Sequence, residues 1–258
     1  MKHPVSTVHN HPPPPQSANK LLAALPAADY LRIAPFLTPT PQTFKLVLHK
    51  TGETMTTVYF PAGGCCSTTY VMQDGKMVEV ATIGNEGMVG ITLFLGGTVA
   101  PSETFVQIAD GDMLAMPAAV FMTELNRRGA FYDVIGRFAQ ALQILQMQSV
   151  ACNAFHTVEE RCARWLLMTH DRVDGDEFSL THEFLSYMLG VRRPTVSLVL
   201  GVFDKGRVID IGMKKITIVD RKGLEAASCE CYEVVRKAFD QLLPGSSQES
   251  EIIPQFVS

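Results

Sequence analysis

The stretch LTHEFLSYMLGVRRPTVSLVL, residues 180–200, decides how the C-terminal third of the chain folds. Thr181 is a good helix N-cap, and Glu183 in the first turn complements the positive end of the helix dipole. Leu185 and Leu189 share one face. Ser186 is small where two helices must approach closely. Gly190 supplies the positive φ that stops the first helix and makes a sharp turn. Val191, Val196 and Val199 are the expected buried points of that turn and of the helix after it. Together, apolar residues at 185, 189, 191, 196 and 199, a small residue at 186 and glycine at 190 form the helix-turn-helix pattern. An ordinary αα-hairpin is the competing reading of the same residues.

Charge separates the two readings. Residues 190–223 hold eight basic side chains against three acidic ones, a net charge of +5, while the rest of the chain carries −9. The positive charge lies where a DNA duplex would dock. Arg192 and Arg193 open the second helix, the end that enters a major groove. An arginine there can bond guanine O6 and N7 together. Thr195 and Ser197 are within reach of bases or phosphates. Lys214 and Lys215 fall between two short apolar runs, Val208-Ile209 and residues 216–219, and so tip a small hairpin or wing. Their expected target is backbone phosphate, which positions without reading sequence.

Upstream, Phe131, Ile135, Phe138, Leu142, Leu145, Ser149, Cys152 and His156 recur at alternating intervals of four and three. That is a heptad seam on one helix over residues 130–157, about 40 Å long. Its length predicts a dimer interface through Phe138, Leu142, Leu145, Ser149 and Cys152; packing on the chain's own barrel is the alternative. Between Phe44 and Met116 the pattern has period two. Short apolar runs alternate with turn signals such as Asp74-Gly75, which points to an antiparallel barrel. Leu21 to Phe36 reads as one or two short helices broken at Pro26, and residues 224–243 as one amphipathic helix.

The overall composition sets the outer limits. The chain has 258 residues, 22 basic and 26 acidic, and a net charge of −4, which excludes a uniformly basic DNA-packaging protein. Residues 1–19, with four consecutive prolines, bury little and read as a disordered tail; His3, His9 and His11 lie in it without a partner carboxylate or thiol. Six cysteines, at 65, 66, 152, 162, 229 and 231, show no C-x-x-C spacing, so no metal site is expected. They suit a reducing, cytoplasmic setting, and no apolar run has the make-up of a membrane span. Cys65-Cys66 reads as a pair of buried small hydrophobes, with a redox sensor as the alternative.

The order of small β-barrel, long helix and winged helix-turn-helix resembles the Crp/Fnr family of bacterial transcription regulators over roughly residues 20–223. VEERCARWLL, residues 158–167, is similar to the family's helix before the DNA-reading unit, and residues 180–200 align with its helix-turn-helix without a gap. The resemblance implies an α+β fold: a disordered tail at 1–19; a cyclic-nucleotide-binding-like β-roll or jelly-roll barrel over 20–129; a dimerisation helix over 130–157; a winged helix-turn-helix over 158–223; and a C-terminal helix and tail over 224–258. It implies a homodimer on a palindromic double-stranded operator, with RNA polymerase as a further partner. It places Thr181 on phosphate and Arg193 on guanine. Pro194 and Leu198 stand where the family has a Glu and an Arg, so the operator should differ from the usual consensus.

The barrel departs further from the family. Ile91 stands where a cyclic-AMP binder has the ribose Glu, and Pro101 where it has the phosphate Arg, leaving Gly90 and Ser102 of a possible effector pocket. Cyclic AMP is not expected without that bidentate charge partner. The glycines of residues 87–97 are read as serving barrel corners. An iron–sulfur cluster is not expected, because residues 1–64 hold no cysteine. Haem is not expected either, since His49 is a lone candidate axial ligand. The competing functions are a ligand-gated protein adaptor, which has no need of Arg192, Arg193 and the wing lysines, and an enzyme, for which no catalytic motif is present.

Overall fold

The computed structural model describes residues 18–243. The histidines at 3, 9 and 11 and the tail after Leu243 lie outside the described residues. Asn19 does not belong to a tail. It is fully buried, its Oδ1 accepts from the Leu21 and Leu22 amides, and its Nδ2 donates to the carbonyls of Pro61 and Gly87. It thereby caps α1 (Lys20–Ala23) and ties the start of the fold to the barrel. Pro26 separates α1 from α2 (Ala27–Ile33), as the sequence predicts.

The barrel is built from β1 (Thr38–Pro41), β2 (Val47–His49), β3 (Thr57–Pro61), β4 (Cys65–Val71), β5 (Met77–Ile83), β6 (Glu103–Ile108) and β7 (Asp112–Pro117). They form two antiparallel sheets, ordered β1-β7-β3 and β2-β6-β4-β5. Val58, Phe60, Cys66, Val106, Met113 and Met116 fill the core. Two strands escape the period-two reading. β1 is the sequence TPTP, whose prolines cannot donate to a ladder, and it survives because it sits at a sheet edge. β2 is only three residues long. The Asp74-Gly75 turn forms as expected: Gly75 has φ +81°, and the Met72 N–H donates to the Lys76 carbonyl.

α3 (Ala118–Asn126) leads into α4 (Ala130–Phe155). Here the structure corrects the interface expectation. Phe138, Leu142, Leu145 and Cys152 are buried within the single chain, and Ser149, half-buried, accepts a hydrogen bond from Arg164. Their stripe packs on β5 and on the C-terminal helix, with the Phe138 and Phe239 rings 6.5 Å apart. The heptad spacing is real, but it serves the chain's own core. The opposite face of α4 carries Gln140, Ile144, Met147, Ala151 and Ala154, again at alternating four and three, with Met147 65% exposed and neighbouring Val150 72% exposed.

α5 (Val158–His170) begins in a capping box between Thr157 and Glu160. Then come β8 (Glu177–Ser179), α6 (His182–Leu189), α7 (Arg193–Lys205), β9 (Ile209–Gly212) and β10 (Lys215–Ile218). The three strands pair in the order β8-β10-β9. The single helix expected over 224–243 is two: α8 (Arg221–Ala227), capped by Asp220, and α9 (Cys231–Leu242). Extended backbone at Ser228 breaks them apart. Among the described residues no helix is long and apolar enough to cross a membrane.

Buried polar contacts dock the helix-turn-helix unit on the barrel. Arg172, after α5, holds Glu86 through both Nε and Nη2, with the two side chains almost wholly enclosed. A side chain at Gly84 would collide with Arg172, so glycine is required there. The Trp165 indole donates to Glu79 on β5 at 2.7 Å, and the Phe184 ring of α6 packs at steep angles against Phe44 and Phe105.

Desolvation holds the Glu79 carboxyl above its ordinary value despite the Trp165 bond. An acid whose folded pKa is raised favours the fold below its unfolded pKa and loses that advantage as pH rises through the folded value. Glu79→Gln, which keeps an acceptor for Trp165, should therefore be more stable than the parent at pH 7. The gain should vanish as pH falls below the ordinary glutamate value of about 4.3. Urea unfolding of both proteins across pH 4–8 checks this; a difference independent of pH would refute it.

Candidate nucleic-acid interface

The helix-turn-helix is built as its sequence dictates. Thr181 caps α6 by accepting the Phe184 N–H at 3.1 Å. Gly190 adopts φ +64° and ends the helix, while the Val191 N–H donates back to the Ser186 carbonyl. α7 then starts at Arg193, with Arg192 at its N-cap and Pro194 in its first turn. Val196, Leu200 and Phe203 face inward; Val191 and Val199 are half-buried, so Leu200 and Phe203 take a share of the anchoring expected of them. The outward face presents Arg192, Arg193, Pro194, Ser197, Leu198 and Val202, with Leu198 73% exposed.

The electrostatics of this end are one-sided. The first turn of α7 holds no acidic residue, so two guanidinium groups sit at the positive end of a helix dipole. Like charge there costs about 0.3–1 kcal/mol per group, a cost that a bound anion reverses. Among the described residues neither Arg192 nor Arg193 has a carboxylate within ion-pair distance. His182, beside them, is held below its ordinary pKa by burial and then by Arg193, and its Nδ1 bonds Ser197 Oγ at 2.9 Å. Ser197 is therefore partly engaged within the protein. Thr195 is half-buried.

The wing refines the expectation for its lysines. Lys214 sits in the turn with φ +59°, next to Met213, which is almost fully exposed. Lys215 is the first residue of β10, and its ammonium group forms an ion pair with Glu177 of the adjacent β8. Both members of that pair are about half exposed, so it is worth at most ~1 kcal/mol and can be exchanged for a phosphate. Arg221, counted in the basic segment, is spent inside the protein on Asp171, Glu225 and Tyr232.

In the barrel, Gly90 adopts φ +105°, and a side chain there would press on Val58 and His49. Ile91 opens a short 3-10 turn and packs on the core, and Ser102 is half-buried. A cavity of about 980 Å³ opens elsewhere, between α1, α5 and α9. The His49 Nε2 bonds the Thr57 carbonyl at 2.8 Å. Cys65 and Cys66 are buried on β4, and burial pushes the Cys66 thiol up to about 12. The redox alternative needs an exposed thiolate, which this environment opposes.

Sequence spacing missed one group of residues. Cys152, His156, Cys229 and Cys231 come together where α4 meets α5 and α9 begins. The one signal available was local: Cys152 and His156 are four apart on a helix and so share a face. Nothing local joins them to residues 77 positions away.

Residues 160–227 match the Crp-like helix-turn-helix domain family. Among solved structures, a putative transcriptional regulator of the Crp/Fnr family from Eubacterium rectale is 17% identical, with a TM-score of 0.64 over 81% of this chain and 98% of its own. FixK2 from Bradyrhizobium japonicum is 15% identical, with a TM-score of 0.64 over 75% and 98%. The c-di-GMP-responsive global regulator CLP of Xanthomonas campestris is 14% identical, with a TM-score of 0.60 over 75% and 99%. These likenesses are of fold. No curated protein sequence matches the chain.

Cys162 is also fully buried, and burial pushes its thiol up to about 12. Cys65, Cys66 and Cys162 should therefore resist a soluble thiol reagent in the native protein and react only after unfolding. Peptide mapping after brief alkylation at pH 8 tests this. Rapid native labelling of Cys65 or Cys66 would restore the redox-sensor reading.

Proposed function

We propose that this chain, which carries a Crp-like helix-turn-helix domain on the fold of the Crp/Fnr transcription regulators, works as a homodimeric, sequence-specific DNA-binding regulator. The observation that carries this reading is the exposed N-terminal end of α7, where Arg192 and Arg193 add to the helix dipole with no acidic partner. Arg193 reads a guanine through O6 and N7, and Arg192 binds at the groove edge. Thr181 keeps a hydroxyl proton to donate to phosphate. Ser197 and Thr195 supply shorter contacts beside them. Leu198, with no hydrogen-bonding group, suits a thymine methyl, and Pro194 contributes no donor. Lys214 holds backbone phosphate from the wing, joined by Lys215 once it leaves Glu177.

Dimerisation belongs to the outer stripe of α4, Ile144, Met147, Ala151 and Ala154 with Val150 beside it, because the inner stripe is already buried. Two such chains around a two-fold axis present their α7 helices to half-sites ~34 Å apart on a palindromic operator. The barrel is the sensor, without the charged partner that a cyclic phosphate needs at Pro101. RNA polymerase is the natural further partner of such a regulator.

Selection of genomic fragments by the purified protein at physiological salt should enrich a two-fold symmetric motif. Random recovery from a stable dimer, with and without cell extract, would count against sequence reading. Arg193→Ala should weaken specific binding by ~1–3 kcal/mol and relax one base position. Lys214→Ala should weaken binding to all sequences alike and reduce the salt slope by ~1 per monomer. For the interface, the double change Met147→Asp, Val150→Asp should give folded monomers in sedimentation, and a dimer that survives it would move the interface elsewhere.

A further inference from the structure

We propose that Cys152, His156, Cys229 and Cys231 form a mononuclear, tetrahedral zinc site that fastens the end of α4 to the start of α9. The ligand atoms of all four lie within 4.8 Å of one another. The Cys152 and Cys229 sulfurs are 3.6 Å apart, and the Cys231 sulfur is 3.4 Å from His156 Nδ1. A tetrahedron with Zn–S of about 2.3 Å and Zn–N of about 2.05 Å has edges of about 3.8 Å and 3.6 Å. The Cys152–Cys229 and Cys231–His156 separations already stand close to those values, and none of the six exceeds 4.8 Å. A polynuclear iron–sulfur cluster spreads its ligands over separate irons and needs a wider set. Three sulfurs and an imidazole also match the soft-ligand preference of zinc, and suit neither magnesium nor calcium.

The surroundings of the ligands are those of a metal centre. His156 turns Nδ1 toward the sulfurs while its Nε2 meets Glu230 at 3.2 Å. That is the carboxylate–histidine arrangement that fixes the ring of a metal ligand. Gln148 donates an amide N–H to the Cys231 sulfur at 3.0 Å, as a thiolate acceptor requires. Three thiolates on a divalent ion leave one negative charge. Arg161 and Arg164 stand close enough to Cys152 to act on it electrostatically, and the buried Arg164 Nε lacks a hydrogen-bond partner. A surface cavity of about 350 Å³ that reaches Cys229 provides a path for entry.

The placement gives the ion work to do. His156 is the C-cap of α4, and Thr157 is the N-cap of α5, so the site sits on the joint between the long helix and the winged unit. Cys229 lies in the break between α8 and α9, and Cys231 is the first residue of α9, both after the winged unit has ended. An ion there closes a loop around that unit and stiffens the joint from both sides. The inference does not rest on DNA reading and stands or falls by metal content.

The full chain, expressed with zinc and purified in reductant without chelator, should carry one zinc per protomer by elemental mass spectrometry. Cobalt replacement should give the visible absorption of tetrahedral cobalt with thiolate charge-transfer bands. A chelator should lower the melting temperature. The double change Cys229→Ser, Cys231→Ser should abolish the bound metal, while Cys162→Ala retains it. If that double variant fails to fold, His156→Ala reads the same loss with all thiols kept. Glu230→Gln should weaken zinc affinity ~10–100-fold through the imidazole. Metal-free protein whose free thiols are unaffected by added zinc or cobalt would overturn the proposal. So would a Cys152–Cys229 disulfide in protein kept reduced, or zinc retained by the double variant.

Discussion

The inner stripe of α4 is the constraint on which the remaining structure depends. Phe131, Ile135, Phe138, Leu142 and Leu145 are each at most 5% exposed, held between the barrel on one side and α9 on the other. Burying side chains of that size stabilises by ~1.5–3 kcal/mol apiece before ordering costs. One helix face thus sets the position of the barrel, the terminal helix and the joint from which the winged unit departs. It also leaves the opposite stripe, around Met147, as the exposed face of the helix.

The contacts that dock the winged unit are of another kind. Arg172 with Glu86, and Trp165 with Glu79, are polar groups taken out of water between two otherwise apolar surfaces. Such groups fix an orientation, because sliding by about an ångström leaves a buried charge or acceptor without its partner. With α6 held against β5, α7 turns its basic end and its apolar ridge of Leu198 and Val202 to solvent. Arg192 and Arg193 are both exposed there, in a segment, residues 190–223, that carries a net charge of +5 against −9 for the rest of the chain.

Much of this was legible in the chain itself. The helix-turn-helix needed only local rules: an N-cap at Thr181, left-handed glycine at 190, and apolar positions spaced to bury one side of each helix. The central barrel strands followed from alternation, and the Asp74-Gly75 turn from glycine's freedom at positive φ. The edge strand TPTP escaped because proline erases the pattern that marks a strand. The break between α8 and α9 escaped because Ser228 and Cys229 interrupt a helical periodicity that continues on either side.

By itself, then, the sequence determined the class of fold, the order of its parts and the end of α7 that carries the charge, since each rests on residues within a turn or two of one another. Only the tertiary structure decided which face of α4 is buried. A heptad stripe records that a face is covered but not by what, and α9, about 90 residues further on, is what covers it. The same physics explains Cys152, His156, Cys229 and Cys231. Ligands four apart on a helix are a weak local sign, and a complete coordination sphere exists only once packing brings distant segments within a few ångströms.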